Sequence, residues 1–121
     1  MEGTHDMTVF MRNLVRTARL VEGFISDMSY EQFTGDEKTV YAVSGGLEMI
    51  CQAVKHLPDS IQQPYPNVPW RKLGDLADDL IHSYYTVDPQ QVYVTVLDDL
   101  PKVIAVVERT LHEAEAGGGN A

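Results

Sequence analysis

Apolar side chains recur at steps of three and four along nearly the whole chain, and that repeat restricts it to helices. Phe10, Leu14, Ala18, Val21, Ile25 and Met28 share one face of a first helix. Val40, Val43, Leu47, Ile50, Val54 and Leu57 carry the step through a second, which stops at Pro58. Trp70, Leu73, Leu76 or Ala77, Leu80 and Ile81 mark a third. In the last segment two periods compete. VYVTV is β-branched and suits a strand, yet Val92, Val96, Leu100, Val103, Val107 and Leu111 hold the helical step for about twenty residues. Length decides for a helix, with a kink expected at Pro101 because proline cannot donate to the preceding turn.

The segments between these runs read as boundaries. SYEQFTGDEKTV breaks the period at Gly35 and offers Thr34 or Asp36 as a helix cap. LPDSIQQPYPNVPW is a proline-punctuated connection that places Pro69 near the first turn of the third helix. Asp88 and Pro89 form a cap and first position for the last. The expected fold is all-α: an antiparallel bundle of four main helices in a single domain over residues 1–121. MEGTHD should be loose, and the tail should be disordered from about residue 117, where EAEAGGGNA offers little to pack. Gly45 and Gly46 sit inside the second helix at a cost of about 1 kcal/mol each, which suggests close approach of another backbone. SGG lacks the lysine and further glycines of a phosphate loop.

Composition narrows the function. A chain of 121 residues with 44% apolar content can bury a real core. No stretch approaches the roughly 20 apolar residues of a membrane span, and the N-terminus has no basic-then-apolar signal pattern. A single cysteine, Cys51, leaves no intrachain disulfide and no cysteine-cluster zinc site. A cytoplasmic location is expected. The net charge of −9 repels phosphate backbones and weighs against nucleic acid in general, DNA included. The densest basic surface is the stripe Arg12, Arg16 and Arg19, whose ordinary reading is a solvated or ion-paired face.

LADDLIHSYYTVD, residues 76–88, is the stretch that does not read like ordinary helix packing. On a helix, Asp78 lies one turn before His82, Asp79 lies at i,i+3, and Asp75 extends the stripe. Tyr84 points away in a regular helix and converges with His82 only if the helix unwinds near TVDP. Spacing alone leaves three readings open. His82 beside a carboxylate is a general base. With Asp75, Asp78 or Asp79 it is a partial metal site lacking a second cluster. Or it is an ion-paired histidine at a helix C-terminus, where positive charge is favoured. His5, His56 and His112 show no comparable pattern, and no serine or cysteine sits in a nucleophile context.

DEKTVYAVSGGLEMICQAVKHLP, YPNVPWRKLGDLADDLIHSYYTVD and VYVTVLDDLPKV together resemble the HepT-like proteins of the HEPN superfamily. The landmarks keep their order from Asp36 to Val103: LE, K-x-LP, PW, twelve residues to the histidine, IH-x-Y, VD and DLP. The resemblance implies a helical bundle that forms a homodimer, with the active-site helices meeting at its interface. It also implies a metal-independent endoribonuclease toxin, without a cofactor, encoded beside a nucleotidyltransferase antitoxin. RNA and that antitoxin are then the expected partners, with neither membrane nor DNA.

The family motif is Arg, four to six residues, His, any residue, Tyr, and its second half falls on His82, Ser83 and Tyr84. His82 is then the base, with Asp78 as its carboxylate neighbour, and Tyr84 is the acceptor of AMP. The arginine position holds Ala77, the two positions after it hold Asp78 and Asp79, and Gly45-Gly46 stands where relatives often carry Arg-Asn. Arg12, Arg16 or Arg19 of a neighbouring subunit is the candidate replacement cation and RNA or partner contact. The competing reading is a catalytically inactive HEPN dimer that works as a binding or regulatory module.

Overall fold

A computed structural model describes residues 2–119 in backbone and 7–117 in side chain. The elements are α1 (Glu2–Ile25), α2 (Tyr30–Gly35), α3 (Glu37–Lys55), α4 (Asp59–Gln62), α5 (Trp70–His82), α6 (Pro89–Val94) and α7 (Leu100–Gly119). A π-helical stretch, Thr95–Asp99, joins α6 to α7, and no strand occurs among the described residues. The fold is an all-α bundle. Its four long helical runs are those expected from the apolar repeat, and α2 and α4 are single-turn additions between them. The backbone is already helical from Glu2. At the other end α7 stays helical to Gly119, past the start of the expected disordered tail at about residue 117, and the rest of that tail lies outside the described residues.

The core forms where the periodic faces meet. α3 packs against α1 on one side and α5 on the other, and α7 lies along α1. Leu14, Ala18, Val21 and Ile25 of α1 are buried with Val43, Leu47, Ile50 and Val54 of α3. Leu73, Leu76, Ala77 and Leu80 of α5 close the other side, and Val96, Leu100, Val103 and Val107 complete it. A Cβ on Gly46 would collide with the side chain of Val21, so this glycine sets the spacing of α1 and α3. The close neighbour is thus a side chain rather than a backbone, and Gly45 faces open space.

Local chemistry fixes the helix ends. Ser29 and Gln32 form a capping box on α2: the Ser29 hydroxyl accepts from Gln32 N at 3.1 Å, and Gln32 Oε1 accepts from Ser29 N at 2.8 Å. Asp36, the second of the two candidates, caps α3 by accepting from Thr39 N at 3.3 Å. Asp88 caps α6 through Gln90 N at 2.9 Å, with Pro89 at the first position as expected. Pro69 instead stands one residue before α5 and gives it no side-chain cap. The connection before it is organised by side chains. Gln62 Nε2 donates to the Val54 and Leu57 carbonyls (3.1 and 2.9 Å), and the Trp70 indole donates to those of Gln62 and Tyr65 (3.1 and 3.0 Å).

Pro101 acts through a bulge in the helix. Its ring crowds the carbonyl four residues earlier and it has no N–H to offer it. The chain answers with the wider π turn just upstream, in which Leu100 N donates to Thr95 O, five residues back. The Thr95 hydroxyl donates to Gln91 O at 2.6 Å. The bulge turns Asp99 inward, where its carboxylate, 8% exposed, accepts from Lys72 Nζ of α5 at 3.0 Å. Cys51 is buried on the same side of the core, and burial followed by the charge of Asp99 pushes its thiol up to about 12.

Candidate functional site

α5 ends at the residue of interest. His82 is its last residue, and Ser83 leaves the helix at φ −140, ψ 40. Tyr84–Thr86 then make one 3-10 turn, closed by Thr86 N donating to Ser83 O at 2.9 Å. The unwinding that the TVDP sequence makes possible therefore occurs. His82 is left exposed at the C-terminal end of a helix.

One turn back, Asp78 carries the charge that faces His82. Its Oδ1 accepts from Lys55 Nζ, at the end of α3, at 2.8 Å. The hydrogen bond from Lys55, joined by the charges of Lys55 and His82, holds the Asp78 carboxyl below the usual carboxylate range. The result is a row of cation, carboxylate and imidazole across the α3–α5 seam. The sequence stripe placed Asp75 and Asp79 beside His82 as well; both are exposed, and Asp79 contributes a backbone carbonyl to Ser83 N at 2.8 Å. No three metal-ligating side chains gather among the described residues.

Tyr84 goes elsewhere. Its ring stacks on Tyr41 of α3, with centroids 5.4 Å apart and planes 16° apart. Tyr85 meets it edge-on at 5.6 Å and 85°. The three rings border an open cleft of about 470 Å³ that also takes in Thr34, Glu37 and Ser44. Leu80 and Val92 contribute its apolar lining, and Glu37 is the one charged residue on it among the described residues. The adjoining hydroxyls of Tyr84 and Tyr85 hold the Tyr41 phenol above its ordinary value. His82 is not among the residues lining the cleft, and no hydrogen bond joins it to Tyr84 among the described residues.

The basic stripe on α1 faces α7. Arg12 pairs with Glu115 and Arg19 with Glu108, both at 2.7 Å, while Arg16 is exposed without a partner among the described residues. The ordinary reading of that stripe, an ion-paired face, holds for two of its three members. Ala77 is fully buried in the α5 face that meets the core. The position to which the resemblance assigns the motif arginine thus points inward.

Sequence reasoning missed Lys55, Tyr41 and Tyr85. Lys55 lies in the K-x-LP landmark, but its role depends on which face of α5 meets α3. Tyr41 and Tyr85 are ordinary surface tyrosines until the 3-10 turn brings Tyr84 between them.

Comparison with known proteins is consistent across most of the chain. The family model described as ribonuclease HepT-like matches residues 14–110. A Methanocaldococcus jannaschii protein named as an RNase is 31% identical over 115 residues, 95% of either chain. A Thermococcus cleftensis protein named as a ribonuclease HepT is 32% identical over 100 residues, covering 83% of this chain and 91% of its own. A second M. jannaschii protein with an RNase name is 32% identical over 110 residues, 91% of this chain and 95% of its own. No solved structure gives a significant match.

Proposed function

This chain belongs to the HepT-like ribonuclease family, and on that premise we propose that it is a metal-independent endoribonuclease with His82 as general base. The observation that carries the proposal is the row Lys55, Asp78, His82 at the exposed end of α5. His82 takes the proton from a ribose 2′-hydroxyl, and the freed oxygen attacks the adjacent phosphorus. The 5′-oxygen leaves and takes a proton from water, and the protonated His82 returns its own to solvent, giving a 2′,3′-cyclic phosphate and a 5′-hydroxyl end. Asp78 orients the imidazole and stabilises its protonated form. Lys55 supplies the positive charge that the buried Ala77 position does not, and stabilises the crowded phosphate.

In this reading the protein is the toxin of a cytoplasmic toxin–antitoxin pair and acts as a homodimer. A nucleotidyltransferase antitoxin attaches AMP to Tyr84. The phenol oxygen displaces pyrophosphate from ATP, and the new phosphodiester brings bulk and negative charge to the groove. A second reading is favoured by the burial of Ala77 and the exposure of Gly45, which leave the arginine positions of the family without a cation. In it the chain is a catalytically inactive dimer that binds rather than cuts.

Cleavage of end-labelled cellular RNA by the purified protein in excess EDTA separates the two. The ribonuclease reading expects cyclic-phosphate ends from the parent and none from His82→Ala. Folded parent protein that leaves RNA intact refutes it in favour of the binding module. Cleavage that EDTA abolishes refutes the metal-independent mechanism.

A further inference from the structure

We propose that the cleft bordered by Tyr41, Tyr84 and Tyr85 is a nucleobase subsite, which takes one unpaired base of single-stranded RNA against the exposed rings of Tyr41 and Tyr85. The inference rests on the ribonuclease reading only for the identity of the polymer.

Three observations point to a base rather than to phosphate or a helix. First, the rings are presented instead of packed away: Tyr85 is 93% exposed and Tyr41 52%, although the chain has a core able to bury them. Second, the three rings are set against one another. Tyr84 stacks on Tyr41 and is held half-buried, and Tyr85 stands at right angles to it, forming a corner with one wall along each ring. A flat aromatic guest gains contact with both walls at little conformational cost. Third, the charge is wrong for phosphate. Glu37 is the cleft's charged residue among those described, so it repels the backbone, while its carboxylate and the Thr34 and Ser44 hydroxyls suit the polar edge of a base. The volume of about 470 Å³ holds a nucleoside and is too open to demand a longer ligand. Duplex RNA keeps its bases stacked inside and cannot offer one here.

The test measures binding without cleavage, so it stands apart from the catalytic reading. A fluorescently labelled 2′-O-methyl hexaadenylate, which has no 2′-hydroxyl to react, is titrated with the full chain and followed by anisotropy. A hexamer of the same backbone without bases is the control. Tyr41→Leu and Tyr85→Leu should each weaken the hexaadenylate by roughly 5- to 150-fold, the usual worth of one stacked base. Tyr41→Phe and Tyr85→Phe, which keep the ring, should bind as the parent does, and the baseless hexamer should bind weakly to all. Equal affinity of parent and leucine variants overturns the subsite, as does parent protein that binds neither hexamer. If sedimentation shows that the leucine changes dissociate a dimer while affinity per chain stays constant, the rings are covered by a second copy and the proposal also fails. Parent protein that leaves cellular RNA intact but shows base-dependent binding of the hexamer would refute the ribonuclease reading and leave the subsite standing.

Discussion

Lys55 Nζ lies 2.8 Å from Asp78 Oδ1, tying the last turn of α3 to α5 one turn before His82. Both groups are substantially exposed, so the pair adds little to stability. Its value is positional. Lys55→Met should leave the melting temperature nearly unchanged and reduce RNA cleavage by about 100- to 1000-fold, the usual worth of a positioned cation. Lys55→Arg should retain most of the rate. A Lys55→Met protein that cleaves at the parental rate would remove Lys55 from the mechanism.

The Asp78 carboxyl is held below its ordinary value of 3.8 by Lys55 and His82. A group with a depressed folded value stabilises the fold above its unfolded value, and that contribution disappears as pH falls through the folded one. Asp78→Asn should therefore be slightly less stable than the parent at neutral pH. The gap should narrow as pH drops below 3.8. Urea midpoints of the two proteins across that range measure it, and a gap that stays constant would deny the coupling.

Cys51 is buried, and its thiol is pushed up to about 12. The thiolate is the reactive form, so the folded protein should resist iodoacetamide at pH 8, with labelling limited by unfolding. A raised folded value also means that the stability tied to the neutral thiol is complete below the usual 9 and is lost as pH climbs from there towards 12. Cys51→Ala should flatten that alkaline limb. Rapid labelling of native protein, read by mass spectrometry, would contradict the burial.

Installing the family arginine should not simply restore a cation. Ala77 is fully buried, so Ala77→Arg forces a guanidinium against the α5 core face. An unpaired buried charge costs about 3 to 5 kcal/mol. Thermal melting should show a large loss, and a melting point equal to the parent's would mean that the side chain escapes to the surface.

The two adjacent glycines should respond in opposite directions. Gly46→Ala drives a methyl into Val21 and should cost about 1 to 3 kcal/mol. Gly45→Ala meets nothing and should stabilise α3 by up to about 1 kcal/mol through helix propensity. Paired denaturation curves decide the matter, and equal effects would refute the packing assignment.

The long helices were legible because burial imposes a period on the chain, even where VYVTV argued locally for a strand. The apolar spacing of the third helix admits Leu76 or Ala77, and both are buried. Only the resemblance made Ala77 a catalytic position, whereas its own pattern already placed it inward. The short α2 and α4 escaped notice because a single turn has no period and depends on caps such as Ser29 and Gln32. Pro101 announced a disturbance but not its form, since a π turn is set by how neighbouring helices settle around it. The row at His82 was half legible. Asp78 follows from spacing within one helix, whereas Lys55 and Tyr41 arrive from another helix, and no periodicity within α5 encodes which face that helix presents.

The π turn at Thr95–Asp99 has a consequence for the whole C-terminal helix. Each residue advances an α-helix by about 100°, so one residue beyond the regular turn resets the phase of everything after it. α7 is therefore rotated relative to α6 as a key is turned in a lock. In the reset position Glu108 and Glu115 come round to meet Arg19 and Arg12, while Asp99 is swung inward to Lys72. Arg12 and Arg19 of α1 are thereby engaged by a helix whose orientation was decided at the bulge, leaving the α3–α5 seam to its own lysine.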